Sequence, residues 1–544
     1  ELHNYGAFMI GRKSLGGLGI MNCASGIGIG FRKSTFMDFA KEYLDKRPFG
    51  FDCKFGEDRY MTNIMLKNRY KVIMIEDAIA HTFVPETLSM FVKQQCLPFD
   101  EKIWAKSEGR VSKIKIGDLF GNKKLGWNNP DKKVYVYTFD KITMKSSWKK
   151  IIGLLKKESD ELMYEIKLRN GRTIKVSKNH PMLVPNKKEF IKKSASELKE
   201  GDFIPCIKNF NIEENKELYG FKNYLELAEF IGFYLAEGCT DIQSIRLAFN
   251  YKTEHHIAKN IQRIINTNMG ANSKIVKQTS CWVVRCYSKK GVELIKNMNL
   301  GSNAHNKKIP DWIFEQSDEF IIKLLESYFI GDGHFRRRKI GVEMTASSVS
   351  KELIQGISLL FSKIGIIAHY RKSIEKSSFK RKDGAENYTR YIIRISGGFS
   401  NSKTINLFQK LTKGIKLKPK KLQNSASNSI PTSIIDRSKW KKTIIKANGK
   451  ECFYGERDLS AKAISYHIVK NHSIDNKYLD NIRNGDIALS EIKSIKILPS
   501  EKYLYDIEVE DNHNFASGDG IFTNNCRWKI SGIIEGIHVL TFSW

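Results

Sequence analysis

Two apolar segments of this sequence end in the same way, and this repeat constrains the fold more than any other feature. Residues 230–238 and 325–333 are both apolar runs that close on an acidic residue followed by glycine. The two acids, Glu237 and Asp332, lie 95 positions apart. A repeat at this spacing predicts two similar subdomains, each contributing one buried helix.

The paired acids suggest what such a helix pair does. Small residues on the helices allow close packing, so the carboxylates of Glu237 and Asp332 would emerge side by side. Adjacent carboxylates repel each other unless a divalent cation lies between them, and oxygen ligands suit Mg²⁺. Such a metal ion activates water and stabilises charge on a phosphodiester. The alternative is two ordinary surface acids on helices that end at glycine.

The positive charge of the chain is concentrated in one stretch. The 544 residues include 91 Lys and Arg against 59 Asp and Glu, and residues 96–525 account for +28 of the net +32. A basic insert in a more neutral host is the simplest interpretation, and its charge predicts a DNA or RNA partner before a membrane. Coding bias in an Ile- and Asn-rich sequence is the alternative. The apolar content of 41% excludes a mainly disordered chain.

Patterns of two kinds alternate within the insert. Short alternating runs with turn signals predict strands at 133–139, 162–168, 173–177, 492–498 and 503–509. Longer apolar runs predict helices at 225–236 and 319–330, and residues 459–470 have a weaker helical pattern. Because β-type sequence brackets the helical part, we expect one domain inserted in another.

The repeated helix ends resemble the motifs of the LAGLIDADG homing endonucleases, over residues 219–425. The resemblance implies an α+β, pseudo-symmetric domain that cleaves double-stranded DNA, with Mg²⁺ held by Glu237 and Asp332. It also implies a lysine near each carboxylate, and Lys307 and Lys416 match because each stands three positions before a proline. Ordinary solvated lysines are the alternative for both.

The two ends of the insert carry residues that can rearrange peptide bonds. The Cys96 thiol can attack the carbonyl before it and convert the Gln95–Cys96 amide into a thioester. The Cys526 thiol can then take over the acyl group by exchange. Finally, the side-chain amide of Asn525 can attack its own backbone carbonyl and cut the Asn525–Cys526 bond.

Other residues near these ends are candidates to assist. His180 is the natural proton donor, and Ser177 and Asn179 can hydrogen-bond the strained amide and its oxyanion. Asp506 and His513 are candidates for the thiol exchange and the cyclisation. Taken singly, a Cys is usually a core residue and a His is usually a turn or core residue.

This combination resembles an intein, over residues 96–210 and 488–525. The resemblance implies an all-β, Hint-like horseshoe that brings both insert ends together and needs no cofactor for splicing. Two departures are present: Ser177 replaces the usual Thr, and Asn524 replaces the usual His, which we expect to slow cyclisation. Residues 426–487 stay unassigned, with an extension of the DNA contact as one interpretation.

Removal of residues 96–525 creates the pattern Q-x-x-R-W across the joint. With the acidic stretch around Asp58, it resembles the processive family 2 membrane glycosyltransferases, such as chitin or hyaluronan synthases. The resemblance implies α/β flanks at 1–95 and 526–544, with nucleotide sugar and membrane as partners. Asp58 would be the general base, and the acceptor and diphosphate would be held by Gln94, Arg527 and Trp528. The nucleotide-binding half of such an enzyme is missing, so we expect no sugar transfer.

The cysteines and the apolar end bear on the compartment. Nine cysteines without a C-x-x-C pair indicate neither a disulfide framework nor a zinc site, and favour a reducing compartment. We therefore expect the insert to act inside the cell and the host product to be membrane-associated. Residues 530–544 are apolar enough to begin a membrane or interfacial helix.

Three hypotheses follow. The leading one is a self-splicing precursor that excises residues 96–525, ligates Gln95 to Cys526 and carries an embedded DNA endonuclease. The second keeps splicing but treats the middle domain as a DNA-binding relic, although Glu237 and Asp332 are both present. The third is a glycosyltransferase with a basic regulatory insert, which leaves the residues at the insert ends without a role.

Overall fold

The computed structural model describes part of the chain. The described residues are 96–187, 189–338, 341–376, 387–396, 429–431, 443–447, 450–454, 463–465, 477–525, 529–534 and 537–541. The α/β fold expected for residues 1–95 lies outside them.

The first part of the described chain is built from strands. In Thr173–Ser177, Ile174 and Val176 are buried while Thr173 and Lys175 are half-exposed, the period-2 pattern of a sheet with one covered face. The strands are β1 (Leu97–Pro98), β2 (Lys102–Ser107), β3 (Arg110–Lys115), β4 (Gly126–Asn128), β5 (Val134–Phe139), β6 (Ser146–Glu158), β7 (Met163–Leu168), β8 (Thr173–Ser177), β9 (Pro181–Pro185), β10 (Phe190–Ser194) and β11 (Phe203–Ile207).

The middle part consists of two halves that share the order helix, two strands, helix, two strands. In the described part of the chain, the first half ends with one additional helix. The first half holds α1 (Tyr224–Glu237), β12 (Gly238–Thr240), β13 (Ser244–Asn250), α2 (His255–Met269), β14 (Lys274–Lys277), β15 (Cys281–Tyr287) and α3 (Lys289–Met298). The second holds α4 (Asp318–Asp332), β16 (His334–Arg338), β17 (Gly341–Ser348), α5 (Lys351–Lys363), β18 (His369–Lys376) and β19 (Asn387–Ser396). Their four-stranded sheets have the matching orders β12-β13-β15-β14 and β16-β17-β19-β18.

The last part returns to strands. It holds β20 (Ser429–Pro431), β21 (Thr443–Ala447), β22 (Lys450–Tyr454), β23 (Ala463–Ser465), α6 (Lys477–Asn484), β24 (Ile487–Leu498), β25 (Tyr503–Val509), β26 (Asn514–Ala516), β27 (Phe522–Asn524), β28 (Lys529–Ile534) and β29 (Ile537–Thr541). Short 3₁₀ helices lie at Ile116–Leu119, Ala195–Glu197 and Asp311–Glu315.

Strands from the two ends of the insert share sheets. β25 lies between β1 and β6 in the sheet β1-β25-β6-β5-β2-β3, and β24 lies between β11 and β7 in the sheet β11-β24-β7-β8. All these pairs are antiparallel. Apolar side chains from both ends, among them Ile166, Ile174, Ile492 and Ile507, are fully or almost fully buried in one core. The early strands therefore need the late ones to complete their sheets.

The two repeated helices pack against each other at small residues. Each begins at a side-chain cap, because Asn223 accepts from two N–H groups of α1 and Ser317 accepts from one of α4. A Cβ added at Gly232 would lie 2.4 Å from the Leu324 carbonyl oxygen, and one added at Gly331 would lie 2.7 Å from the Ala236 Cβ. Such contacts are too short for any side chain, so glycine is required at both crossings.

Two local expectations from the sequence are wrong. Residues 463–465, inside the segment 459–470 with a helical pattern, form the strand β23, which pairs with β20. The apolar residues after position 529 form the antiparallel pair β28–β29 instead of the start of a helix. In both places strand pairing overrides the local pattern. No helix in the described part of the chain has the length and apolar character needed to span a bilayer.

Candidate functional site

Cys96 is held by Ser177, which ends β8. The Cys96 backbone N–H donates to Ser177 Oγ over 3.0 Å, and the Ser177 N–H donates back to the Cys96 carbonyl over 2.9 Å. Both residues are fully buried, and the Cys96 side chain packs against Met163 and Leu504. The Ser177 hydroxyl therefore lies at the nitrogen of the Gln95–Cys96 amide, where the sequence predicted a hydrogen-bonding group.

The turn that follows Ser177 also contacts the other end of the insert. The His180 N–H donates to the Ser177 carbonyl over 3.0 Å, which closes the turn. The His180 ring is fully buried, and its Nε2 is 2.5 Å from the hydroxyl of Thr523, two residues before Asn525. One short turn thus touches Cys96 through Ser177 and the C-terminal strand through His180.

Thr523 is a contact that the sequence did not reveal. It lies in β27, 343 positions from His180, and its hydroxyl also contacts the sulfur of Met182. Threonine is common in strands, so its residue type gave no indication of a role. Only its position two residues before Asn525 could have marked it as a candidate. Asn179 donates to Glu161 over 3.5 Å, and Glu161 is ion-paired with Lys157.

Strand β25 brings Asp506 close to Cys96. Leu97 pairs with Tyr505, and the neighbouring Asp506 is fully buried. After β25 the chain turns through residues with left-handed backbone, including Asp511 (φ 57°) and His513 (φ 51°). This turn leads into β26, which pairs with β27 and so carries the chain to Asn525.

Asn525 is fixed at both its backbone and its side chain. Its N–H donates to the His513 carbonyl over 3.1 Å. In the orientation that satisfies its neighbours, the side-chain Nδ2 donates to the same carbonyl over 2.7 Å, and Oδ1 accepts from the Val509 N–H over 2.9 Å. Asn525 is 1% exposed. The His513 carbonyl oxygen therefore holds Asn525 through both its backbone and its side chain.

A second candidate site lies at the foot of the helix pair. Glu237 and Asp332 are the last residues of α1 and α4, and a Cβ on Gly331 would lie 3.3 Å from Glu237 Oε1. Lys307 reaches this place from the loop after α3, where its Nζ donates to the Ala236 carbonyl over 3.2 Å and lies 5.7 Å from the ring centre of Tyr234. The structure thus brings Glu237, Asp332 and Lys307 together, as the sequence predicted.

The surroundings of these three residues shift their titration. Burial raises the pKa of Glu237 to about 7, and the Asp332 charge adds to this shift. Desolvation raises the pKa of Asp332 to about 6 although solvent reaches its side chain, and Lys307 opposes the shift. Burial lowers the pKa of Lys307 to about 8, against the attraction of both carboxylates. Because the raised pKa values show that the two negative charges are unfavourable here, a bound cation would stabilise the ionised carboxylates.

The carboxylate pair also limits how a metal ion can be held here. Among the described residues, no group of three or more His, Cys, Asp or Glu side chains is arranged to hold a metal. A hard divalent cation on the two carboxylates fits their chemistry, because it would relieve their repulsion. Water, DNA or backbone oxygens would supply its remaining ligands.

Six predicted site residues lie outside the described residues. They are Asp58, Gln94, Lys416, Cys526, Arg527 and Trp528.

A family model described as intein splicing domain matches residues 107–525. The chain is 24% identical over 511 residues to the DNA-directed RNA polymerase subunit Rpo1C of Methanocaldococcus jannaschii, covering 81% of this chain and 56% of that protein. It is 23% identical over 470 residues to the glutamine--fructose-6-phosphate aminotransferase of that organism (80% and 40%), and 25% identical over 352 residues to a DNA polymerase of Thermococcus aggregans (61% and 16%). It therefore spans less than two thirds of each relative.

Two solved structures show partial similarity. The solution structure of the Pab PolII intein is 26% identical, covers 22% of this chain and 70% of that chain, and gives a TM-score of 0.20. The crystal structure of I-DmoI in complex with DNA and Mn is 15% identical, covers 36% and 99%, and gives a TM-score of 0.24.

Proposed function

Since this chain belongs to the intein splicing domain family, we propose that it is a self-splicing precursor, which excises residues 96–525 and joins Gln95 to Cys526. One observation carries this proposal. The turn between β8 and β9 holds the Cys96 amide through Ser177 and contacts Thr523 through His180. A chain that must join its two flanks needs both insert ends at one place.

The relatives support this proposal because their named activities differ from one another. Their names give three unrelated activities: RNA polymerase, aminotransferase and DNA polymerase. The similarity nevertheless covers between 61% and 81% of this chain and far less of the third relative. A segment shared by proteins of such different activity suits an insert whose own chemistry is independent of its host.

The first step is the rearrangement of the Gln95–Cys96 amide. The Cys96 thiol gives up its proton and its sulfur bonds to the Gln95 carbonyl carbon. The carbon–nitrogen bond breaks and the nitrogen takes up one proton, so the step gains and loses no proton overall. Ser177 Oγ accepts the hydrogen bond from this nitrogen over 3.0 Å and so holds the amide in a fixed orientation. His180, three residues on in the same turn, is the proton donor in this scheme.

The later steps release the insert. The Cys526 sulfur takes the acyl group from Cys96 by thiol exchange, and Asp506 beside β1 assists in this scheme. Asn525 Nδ2 then bonds to the Asn525 carbonyl carbon, and the bond to Cys526 breaks. The freed amine of Cys526 replaces its sulfur on the acyl group, which leaves an ordinary peptide bond.

Mass spectrometry of the expressed 544-residue chain tests splicing. The wild-type chain should yield a ligated product, residues 1–95 joined to 526–544, and a free insert of residues 96–525. Cys96→Ala should block the thioester step, and Asn525→Ala should block release. Cys281→Ala changes a half-exposed cysteine on β15 and should splice normally. An intact wild-type chain with no ligated product would overturn the proposal.

We further propose that the middle part is a DNA endonuclease that acts with Mg²⁺. The support is the carboxylate pair Glu237 and Asp332, whose pKa values are raised, on a close-packed helix pair with Lys307 beside them. The two matching four-stranded sheets suit a surface for double-stranded DNA, and the basic sequence 336–339 suits contact with phosphates. Mg²⁺ would be held by the two carboxylates and would supply an activated water and charge stabilisation.

A cleavage assay separates this activity from a DNA-binding relic. The substrate is DNA that encodes the uninterrupted host sequence across the joint, incubated with the protein and Mg²⁺. Asp332→Asn should abolish cleavage, whereas Glu326→Gln, on the same helix, should retain it. Wild-type protein that binds this DNA but leaves it uncut would favour the relic.

For the host we propose a fragment of a processive membrane glycosyltransferase. The support is the Q-x-x-R-W pattern that excision creates from Gln94, Arg527 and Trp528, which neither flank contains alone. The test is incorporation of labelled sugar from a nucleotide sugar by membranes that hold the full-length host. The Asp58→Asn host should lose this activity, and an unchanged activity would contradict the assignment.

A further inference from the structure

A chain of two hydrogen bonds runs to the carbonyl that Asn525 must attack. Lys141 Nζ donates to Asn524 Oδ1 over 3.2 Å, and Asn524 Nδ2 donates to the Asn525 backbone carbonyl over 2.8 Å. Asn524 is fully buried and Asn525 is 1% exposed. The ammonium group therefore acts on the reacting carbonyl through one side-chain amide, in a place where water competes little.

The fold holds Lys141 at this position from 383 residues away. Asn514, opposite Asn524 in the β26–β27 pair, receives the Phe139 N–H over 3.1 Å and donates to the Phe139 carbonyl over 2.8 Å. The next residue, Asp140, accepts from the N–H groups of Ile142 and Thr143 and so shapes the turn. Lys141 is thus fixed between two anchored residues, next to the strand that ends the insert.

We propose that Asn524 stabilises the oxyanion formed when Asn525 cyclises, and that Lys141 is the positioning residue that strengthens it. In this step Asn525 Nδ2 forms a bond to its own carbonyl carbon and gives up one proton. The carbonyl oxygen gains negative charge, the carbon–nitrogen bond to residue 526 breaks, and the leaving amine takes up the proton. The Asn524 N–H already lies on the oxygen that becomes charged.

The ammonium group adds to this effect by polarising the Asn524 amide. A positive charge at Oδ1 draws electron density toward the oxygen end, which makes the Nδ2 hydrogens better donors. Hydrogen bonds linked in this way strengthen each other most where water is excluded. Lys141 and Asn524 together thereby take the place of the usual His at position 524. They offset the slower cyclisation that we expect from the loss of that His.

The test measures cleavage of the Asn525–Cys526 bond alone, and it rests on the proposed splicing reaction. Chains with Cys96→Ala are expressed, and loss of residues 526–544 is followed by mass spectrometry. Lys141→Met should slow this cleavage by about 10-fold and Asn524→Ala by about 100-fold, since a lost oxyanion donor has an effect of that order. Lys141→Arg should restore most of the rate.

Two controls exclude a merely structural effect. Lys145→Met changes a lysine of the same turn, whose Nζ donates to the Asn484 carbonyl, and should cleave at the parent rate. In an Asn525→Ala chain, dithiothreitol should cut the Gln95–Cys96 bond equally fast with Lys141 or Met at position 141. In an Asn524→Ala chain, Lys141→Met should have no further effect.

The outcomes separate the two proposals. Splicing itself would be overturned if the Cys96→Ala chain left the Asn525–Cys526 bond intact and the Asn525→Ala chain left the Gln95–Cys96 bond intact with dithiothreitol. A parent chain that cleaves while Lys141→Met cleaves equally fast would overturn only the role of Lys141. Equal slowing at both junctions, or an added loss in the Asn524→Ala chain, would also overturn it, because Lys141 would then act on folding or by another route.

Discussion

The two candidate sites of this molecule differ in the kind of group that forms them: mainly neutral hydrogen-bonding groups in one and charged groups in the other. At the insert ends, buried Cys96, Ser177 and Asn525 are held by neutral hydrogen bonds between backbone, hydroxyl and amide groups. At the foot of the helix pair, Glu237 and Asp332 are carboxylates with raised pKa values beside a partly desolvated lysine. The first site is held mainly by neutral hydrogen bonds, whereas the second has two carboxylates with only one lysine beside them.

This difference matches what each site has to act on. The splicing site acts on its own backbone, so the fold can position every reacting group in advance. In the proposed endonuclease the helix pair acts on an outside partner, and a bound cation would relieve the repulsion of its carboxylates. Raised pKa values of paired carboxylates can therefore mark a site that a bound cation would complete.

The largest expected effect comes from Gly232→Ala. The added methyl would lie 2.4 Å from the Leu324 carbonyl oxygen, a backbone atom, so the helices must separate. Overpacking of this kind destabilises by about 1 to 3 kcal/mol, more than the gain in helix propensity. We expect DNA cleavage to be lost while splicing continues, measured by cleavage assay and mass spectrometry on one preparation.

The matched control for this variant is Gly291→Ala in α3. Its added methyl would meet only side-chain atoms, the nearest being Ile245 Cδ1 at 3.1 Å, which can move. We expect both activities to survive there. Loss of splicing together with DNA cleavage in Gly232→Ala would show that the two sites depend on one packed unit, and the comparison above would fail.

The two sites also differ in how far the sequence could predict them. The helix pair was predictable because apolar runs that end in acid and glycine report burial, close packing and charge at once. The strand Thr173–Ser177 was predictable from alternation. The contacts His180–Thr523 and Lys141–Asn524 were not, because they join positions 343 and 383 apart through ordinary residue types. Sheet pairing alone sets them.

Ser177→Ala should have an intermediate effect, confined to the first junction. The change leaves the Cys96 N–H buried without its acceptor, which costs on the order of 1 to 3 kcal/mol and frees the amide from its fixed orientation. We expect dithiothreitol-induced cleavage at Gln95–Cys96 in an Asn525→Ala chain to slow by about 10- to 100-fold, the rate equivalent of that energy.

Ser177→Thr is the control, because it keeps the hydroxyl and adds one methyl group. It should cleave within a few-fold of the parent chain. Normal cleavage by Ser177→Ala would mean that the fold fixes the scissile amide without this hydroxyl, and the splicing site would then be less dependent on neutral hydrogen bonds than the comparison requires.

The smallest effect is expected at Glu101, which lines a cavity of about 480 Å³ between the strands of the splicing part and α5. Burial raises the pKa of Glu101 to about 8; the Lys175 N–H opposes this shift and the Asp519 charge adds to it. In this respect Glu101 resembles the carboxyl groups of the helix pair. Tyr370, from β18, donates to the same Asp519 over 2.6 Å.

Glu101→Gln should therefore stabilise the chain in a pH-dependent way. The folded state holds the Glu101 proton up to about pH 8, whereas the unfolded chain releases it near pH 4.5, so stability falls between these values and is level above them. Gln does not titrate and still accepts a hydrogen bond from the Lys175 N–H.

The measurement is urea unfolding of a Cys96→Ala, Asn525→Ala chain. We expect Glu101→Gln to raise its unfolding free energy by near zero at pH 5 and by on the order of 1 to 3 kcal/mol at pH 9. The gain stays in this range because solvent partly screens the side chain. A difference that stays constant with pH would place the group outside the low-dielectric region and restore the strict contrast between the two sites.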